Sequence, residues 1–372
     1  MSTFDLSMLK GKRVVVGLSG GIDSAVTAYL MKEAGCDVTG VTMQIWDASI
    51  ELKDSGRPGC FGPGEGDDIR VAKSLADRLG VEHIVIPLAA EYKTIVLEYF
   101  RSEYLKGRTP NPCVMCNWKL KFGLMLDRFA DLGKNYDYAA TGHYARVSRD
   151  NKSNRYLLSK GLDSGKDQSY FLCRLGQDRL ARLVLPLGHM LKDDVRAIAN
   201  KLGWQDMIDK KESQDFIEAD DYSVLFRAGD SRPGPVLDTA GNKVGMHEGI
   251  IHYTIGQRKG LGLGGAKIPL YVLHIDSCTN TVIVGSHAEL YKKCMVVSEI
   301  SWISGKAPDA EIRLKARIRQ QHKDAPCLLR VGDSTSADVI FDEPQMSITP
   351  GQVAVFYDGD LVIGGGVIEK AE

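Results

Sequence analysis

The feature that most constrains this chain is a short apolar run that ends in a glycine turn: Arg13-Val-Val-Val-Gly-Leu18, then Ser19-Gly-Gly-Ile-Asp-Ser24. A run of β-branched residues without polar alternation predicts a strand buried on both faces. Residues 25–34 have helical composition, and Gly35 stands where the helix should stop. A turn from buried strand to helix aims backbone N–H groups and the positive helix end at one point, which suits a phosphate. Gly17, Gly20 and Gly21 let backbone approach an anion closely. Ser19 completes the turn, Asp23 is available to hold Mg²⁺, and Ser24 can bond a phosphate oxygen. No Gly-Lys-Ser/Thr follows, so this is not a Walker A loop. The bland alternative is a glycine-rich turn without a ligand.

Beyond this unit the rhythm continues. Residues 38–45 and 81–87 are expected strands and 68–79 an expected helix, a βαβ pattern that predicts a parallel, doubly wound sheet. Residues 47–66, rich in Gly, Pro and charge, are expected to form a mobile loop. From about Asp220 glycines multiply and β-branched runs appear at 271–275, 281–284, 311–318, 353–357 and 361–368, predicting small sheets or barrels. The fold class is therefore α/β: a nucleotide-binding domain over 1–212, a small β-rich domain over 213–288, and a C-terminal β-barrel over 289–372. The 372 residues, 44% hydrophobic and 26% charged, are those of a globular protein. There is no apolar run of membrane-spanning length and no signal-peptide pattern at residues 1–10, so no membrane partner and a cytoplasmic location are expected. A net charge of -1 leaves RNA binding to local basic faces.

The Ser19–Ser24 turn resembles the signature of the PP-loop ATP pyrophosphatases, which split ATP to AMP and pyrophosphate and leave an adenylated substrate. Further blocks narrow the resemblance. Thr109-Pro-Asn-Pro-Cys-Val-Met-Cys-Asn117 with Lys119, Lys121 and Phe122, Thr141-Gly-His-Tyr-Ala-Arg146, Lys166-Asp-Gln-Ser-Tyr-Phe-Leu172, Leu185-Pro-Leu-Gly188, Lys211-Glu-Ser-Gln-Asp215, and the 253–262 and 349–357 segments are similar to those of the tRNA-specific 2-thiouridylases, the MnmA family. Together they span nearly the whole chain.

The resemblance implies ATP-dependent 2-thiolation of wobble uridine 34 in the anticodon arms of tRNAs for Lys, Glu and Gln. The sulfur donor would be a cysteine desulfurase, a sulfur-relay protein or inorganic sulfide. Adenylation turns the 2-oxygen into a leaving group that a sulfur nucleophile can displace. By resemblance Met43 lies at the adenine and Gly142 near the nucleotide, and Asp167 and Gln168 lie near a uridine flipped out of its stack. Lys119, Lys121, His143, Lys166, Arg258, Lys259, Arg317 and Arg319 are the tRNA contacts expected with them. Plainer readings stand beside these. His143 is then a satisfied loop histidine, Tyr170-Phe-Leu a core strand, and Arg258-Lys259 a solvated turn. The alternation of Arg313, Lys315, Arg317 and Arg319 on one strand face suits phosphates, and equally a solvent-facing barrel strand.

The cysteines depart from the family pattern, which places Asp where Cys113 stands and the nucleophile at Cys116. The family's second catalytic Cys is missing from residues 210–222, where Asp215 is the nearest counterpart. A carboxylate cannot form a disulfide, so two repairs are open. Cys113 can act as resolving thiol to Cys116. Alternatively Cys113, Cys116 and Asp215 can ligate a [4Fe-4S] cluster with one iron open for hydrosulfide, and this is the repair the reading favours. The other six cysteines of the chain read as ordinary residues, with Cys60, in the expected loop, the one to follow. Two further functions remain in view. Another adenylating PP-loop ligase would need neither Cys-x-x-Cys nor RNA-binding modules. A non-catalytic RNA-binding iron–sulfur protein would have no need of Asp23.

Overall fold

The computed structural model describes residues 6–52, 57–210, 215–263, 268–309 and 311–372. Residues 211–214, the start of the Lys-Glu-Ser-Gln-Asp segment, lie outside the described residues. The first region holds strands β1 (Arg13–Gly17), β2 (Asp37–Gln44), β3 (Gly59–Phe61), β4 (Glu82–Pro87), β5 (Tyr138–Ala140), β6 (Ala145–Asp150), β7 (Arg155–Lys160), β8 (Leu183–Val184) and β9 (Asp215–Ile217). Five form one parallel sheet in the order β4-β2-β1-β5-β8. The unbroken apolar run of β1 has its predicted cause. Val14 and Val16 pack into a core with helices Ile22–Glu33, Glu65–Leu79 and Lys192–Lys201, while Val15 packs on the opposite face with Tyr92, Val96, Phe100 and Phe129. A central strand covered on both sides has no wet face to alternate with.

Two local expectations are corrected. The 47–66 stretch is not simply a loop, because it contains β3, and helix Glu65–Leu79 starts within it. β3 pairs in parallel with β9, Gly59 opposite Asp215 and Phe61 opposite Ile217. Phe61 is fully buried, stacked on Tyr92 at 5.2 Å and edge-on to Trp46 at 4.8 Å. Three residues are too few to show a period. Ser169–Leu172 is a 3-10 turn rather than a strand, and Tyr170 and Leu172 are buried in it.

Strands β10 (Gly234–Leu237), β11 (Lys243–His247), β12 (Tyr271–Asp276) and β13 (Thr281–Gly285) make a four-stranded sheet around Val236, Val272, Val282 and Val284. Six more strands follow: β14 (Tyr291–Trp302), β15 (Ile312–Arg317), β16 (Ala325–Asp333), β17 (Ser336–Met346), β18 (Val353–Asp358) and β19 (Leu361–Ala371). They run β14-β17-β16-β15-β18-β19, and β14 pairs with β19, so the antiparallel barrel closes and leaves no free edge. On β15 the alternation predicted from sequence is present, with Leu314 and Ala316 inward and Arg313 and Lys315 exposed.

Two of the barrel's contacts with the first region bear directly on the site. The β6–β7 hairpin joins β19 through Ser159 and Leu361 and buries Leu158 with Tyr170, Val355 and Tyr357. The second grip holds the Thr-Pro-Asn-Pro segment. Thr109 donates its N–H to the Pro350 carbonyl at 2.9 Å, and Gln352 Nε2 donates to the carbonyls of Thr109 and Pro110 at 3.0 and 3.1 Å. A side chain at Gly351 would stand 2.9 Å from Thr109 N, so only glycine allows the approach. Replacing Gln352 with Ala strands two carbonyls. We expect it to lower stability by roughly 1–3 kcal/mol, read as a lower urea midpoint with an unchanged slope.

Candidate active site

The phosphate loop is built as its sequence dictates. Helix Ile22–Glu33 begins after Gly21 without a side-chain cap, which leaves its first N–H groups open toward the loop. Gly20 has φ +69°, and a Cβ there would lie 2.7 Å from the Asp68 carbonyl oxygen. Ser24 Oγ donates to the Gly21 carbonyl at 2.9 Å and accepts from Ser19 N at 3.2 Å, closing the turn over the half-buried Gly17. Gly142 packs on the helix start, where a Cβ would meet Asp23 at 2.8 Å. Met43, near the end of β2, is half-buried against the second core.

Asp23 has partners that motif reading missed. Lys192 Nζ donates to both its carboxylate oxygens at 2.8 Å, and Tyr144 Oη donates to Oδ1 at 2.7 Å. The Lys192 side chain is only 6% exposed, whereas Asp23 keeps 29% of its surface open to solvent. A signal was available, because Lys192 is the first residue of helix Lys192–Lys201. A cation there opposes the helix dipole and needs a nearby anion. Gln168 holds Tyr144 in turn, its Oε1 accepting from Tyr144 N at 3.0 Å. Lys210, paired with Asp68, donates to the Gly20 carbonyl at 3.3 Å.

The thiols lie on the helical segment whose Phe122 ring is 5.6 Å from that of His143, the residue after Gly142. Asn111 caps helix Pro112–Met115 by accepting from Val114 N at 3.1 Å, which sets Cys113 in its first turn and Cys116 where a π-helical turn begins. Both thiols are half-buried against the second core, and burial pushes Cys113 far up and Cys116 to about 11. Lys121, assigned to tRNA from sequence, lies among the thiols and favours the thiolates of Cys113, Cys116 and Cys60. Burial, and then Lys121, hold the His143 imidazole well below its ordinary range, so it is neutral, with Nδ1 2.8 Å from Thr141 Oγ1. Asp215 accepts from Tyr222 Oη at 2.8 Å and from Phe216 N at 2.7 Å.

The remaining predicted RNA contacts divide. Arg258 and Lys259 are exposed in the turn before β12, Lys119 is exposed with its ammonium 3.5 Å from the Trp118 ring, and Lys166 is half-buried. Arg174 stacks on the same Trp118 at 4.6 Å, and the three residues line a cavity of about 540 Å³. Asp167 and Arg317 are paired in the interior instead, at 3.0 Å, with Asp324 on the other side of the guanidinium. Arg319 donates to the Met346 carbonyl at 3.2 Å. Among the described residues no three His, Cys, Asp or Glu side chains converge as metal ligands, and no helix is long and apolar enough to cross a membrane.

Residues 12–218 match the family described as tRNA methyl transferase HUP domain, 223–286 the tRNA methyl transferase PRC-barrel domain, and 292–368 the aminomethyltransferase beta-barrel domain. Over 364 residues the chain is 46% identical to the tRNA-specific 2-thiouridylase MnmA 1 of Caldanaerobacter subterraneus subsp. tengcongensis, covering 96% of this chain and 98% of that one. It is 45% identical over 359 residues to the tRNA-specific 2-thiouridylase MnmA of Endomicrobium trichonymphae, with 96% and 98% covered. With that of Acetivibrio thermocellus the identity is 42% over 363 residues, with 96% and 99% covered.

The thiol environment has a measurable consequence. With Cys116 raised from 9.0 to about 11, the resting protein should hold about 100-fold less Cys116 thiolate near pH 8 than an unperturbed thiol. Because only thiolate alkylates, iodoacetamide labelling of Cys116 should stay slow to pH 9 and climb through pH 11, as followed by peptide mass spectrometry. A labelling midpoint near 8 would contradict the burial described.

Proposed function

The chain belongs to the MnmA family of tRNA-specific 2-thiouridylases, and on that premise we propose that it adenylates the 2-oxygen of wobble uridine 34 in tRNAs for Lys, Glu and Gln and then exchanges that oxygen for sulfur at Cys116. The observation that carries this reading is the contiguity of an ATP loop and a thiol site. Gly142 packs on Asp23, and the ring of the next residue, His143, lies 5.6 Å from that of Phe122 on the turn that begins at Cys116.

ATP binds with its phosphates on Gly17–Ser24, where open N–H groups and the helix end stabilise negative charge. Asp23 keeps lone pairs for a magnesium ion brought by the triphosphate, which would screen phosphate charge. Lys192 orients Asp23 and neutralises it between turnovers. The uridine 2-oxygen attacks the α-phosphorus and pyrophosphate leaves. Sulfur then attacks C2 and AMP leaves with the oxygen. A flipped uridine is required, because a stacked base hides its 2-position. The neutral His143 can accept or donate a hydrogen bond to the base without attracting a phosphate. Trp118, with Lys119 and Arg174 on its ring, offers a stacking and phosphate-binding surface beside the thiol helix, and the exposed Arg258 and Lys259 are candidate phosphate contacts on the central domain.

The donor set does not fit an iron–sulfur cluster as placed. Asp215 is engaged by Tyr222 and its own chain, and it does not converge with Cys113 and Cys116 as a ligand. We therefore take sulfur to travel on Cys116 as a persulfide received from a sulfur donor. Cys116→Ala should lose tRNA thiolation, while tRNA-dependent pyrophosphate release in a single turnover stays within about twofold of the unsubstituted enzyme. Release of no AMP with unmodified tRNA would refute the enzyme reading. Lys192→Met should reduce AMP release roughly 10- to 100-fold, with partial recovery in Lys192→Arg.

A further inference from the structure

The segment that would carry a second cysteine is not isolated in the fold. β9, which begins at Asp215, is paired in parallel with β3, and the register sets Cys60 between the Gly59–Asp215 and Phe61–Ile217 pairs. The two backbones pack unusually close. A Cβ at Gly59 would lie 2.5 Å from the Ile217 carbonyl carbon, and one at Gly62 would lie 2.6 Å from the Glu218 side chain. Glycines on both sides of Cys60 thus press its strand against the segment from which the cysteine is missing.

Cys60 shares a neighbourhood with the other two around Tyr92, whose hydroxyl donates to the Phe216 carbonyl of β9 at 3.4 Å. Phe61 anchors β3 on Tyr92, in the same core against which Cys113 and Cys116 pack. The charges of Cys60, Cys113, Cys116 and Asp215 all act on the Tyr92 hydroxyl, and those of Cys60 and Cys116 on Cys113. Cys60 is solvent-exposed, whereas Cys113 is half-buried, and all three thiols are free. Protein mass around the cleft raises the Cys60 thiol, and Lys121 acts in the opposite direction.

We propose that Cys60 supplies the resolving thiol that the segment at Asp215 lacks, moved to the neighbouring strand. This rests on the persulfide reading of Cys116 given above. The Cys60 thiolate attacks the Cys116 sulfur that bears the sulfane atom. A Cys60–Cys116 disulfide forms, the sulfur–sulfur bond of the persulfide breaks, and hydrosulfide leaves with that bond's electron pair. Hydrosulfide then attacks C2 of the adenylated uridine and AMP departs. The disulfide is returned to two thiols by an external dithiol, which is oxidised in exchange. Exposure of Cys60 is what gives that reductant access.

The test uses the full chain, loaded with sulfane sulfur from inorganic polysulfide and freed of excess. It then completes a single turnover with Mg-ATP and unmodified tRNA in the absence of any thiol. Peptide mapping after alkylation should recover a Cys60–Cys116 linked pair in step with 2-thiouridine. Cys60→Ser should form at least about tenfold less 2-thiouridine, release pyrophosphate as before, and recover when a dithiol is added to accept the sulfane sulfur. A Cys113–Cys116 pair in the unsubstituted enzyme, or full single-turnover thiolation by Cys60→Ser, would overturn the proposal and leave Cys116 chemistry standing. The map of the unsubstituted enzyme decides the matter even if the variant fails to fold. If the unsubstituted enzyme releases pyrophosphate yet its loaded Cys116 transfers no sulfur, the persulfide reading itself falls.

Discussion

The thiol site depends on backbone that cannot satisfy itself. Between helix Glu98–Leu105 and helix Pro112–Met115 the chain passes through Thr109-Pro-Asn-Pro, where two prolines remove donors and hold the preceding residues extended. Carbonyls left there need partners if water is to be kept out. The barrel supplies them through Gln352, with Pro350 accepting from Thr109, while Arg108 bridges Glu103 and Glu369 at 2.7 and 2.6 Å. A domain 243 residues away by chain number, the separation of Thr109 and Gln352, therefore sets where Cys113 and Cys116 begin. Its role in catalysis includes that of a brace.

A second brace runs through charges with little access to water. Arg317 of the barrel pairs with Asp167, whose neighbour Gln168 holds Tyr144, which bonds Asp23 in the phosphate loop. A buried ion pair contributes little net stability but costs several kcal/mol if one partner is removed. That asymmetry favours one arrangement of barrel against loop over many loosely packed ones. The Lys-Asp-Gln segment thus reaches Asp23 through Tyr144, and Asp167 itself is occupied by Arg317.

The sulfur chemistry is set by what surrounds the thiols. A half-buried thiol against an apolar core resists ionisation, and Lys121 is the cation that offsets this for Cys60, Cys113 and Cys116 together. Cys113 and Cys116 are therefore poor nucleophiles at rest and are shielded from casual oxidation. Binding of substrate beside Lys121, with its phosphates and base, would change the field in which they titrate.

Much was legible in the chain itself. The Val14–Val16 run and the Ser-Gly-Gly turn determined a buried parallel strand feeding a phosphate-binding helix, because backbone close to an anion tolerates few residue types. The spacing of β-branched runs after residue 270 determined a β-rich second half, and the order of motifs determined the family. What only the tertiary structure decided is which residues meet. Lys192 reaches Asp23 across 169 positions, Arg317 turns inward to Asp167 although its alternation with Arg313 and Lys315 reads as a wet face, and three-residue β3 carries Cys60 to the Asp215 segment. Periodicity records which face a residue shows, whereas pairing over long separations is set by packing and charge compensation. The opening phosphate loop could be read locally because its chemistry is made by consecutive backbone atoms. The thiol site could not, because its parts come from three distant segments.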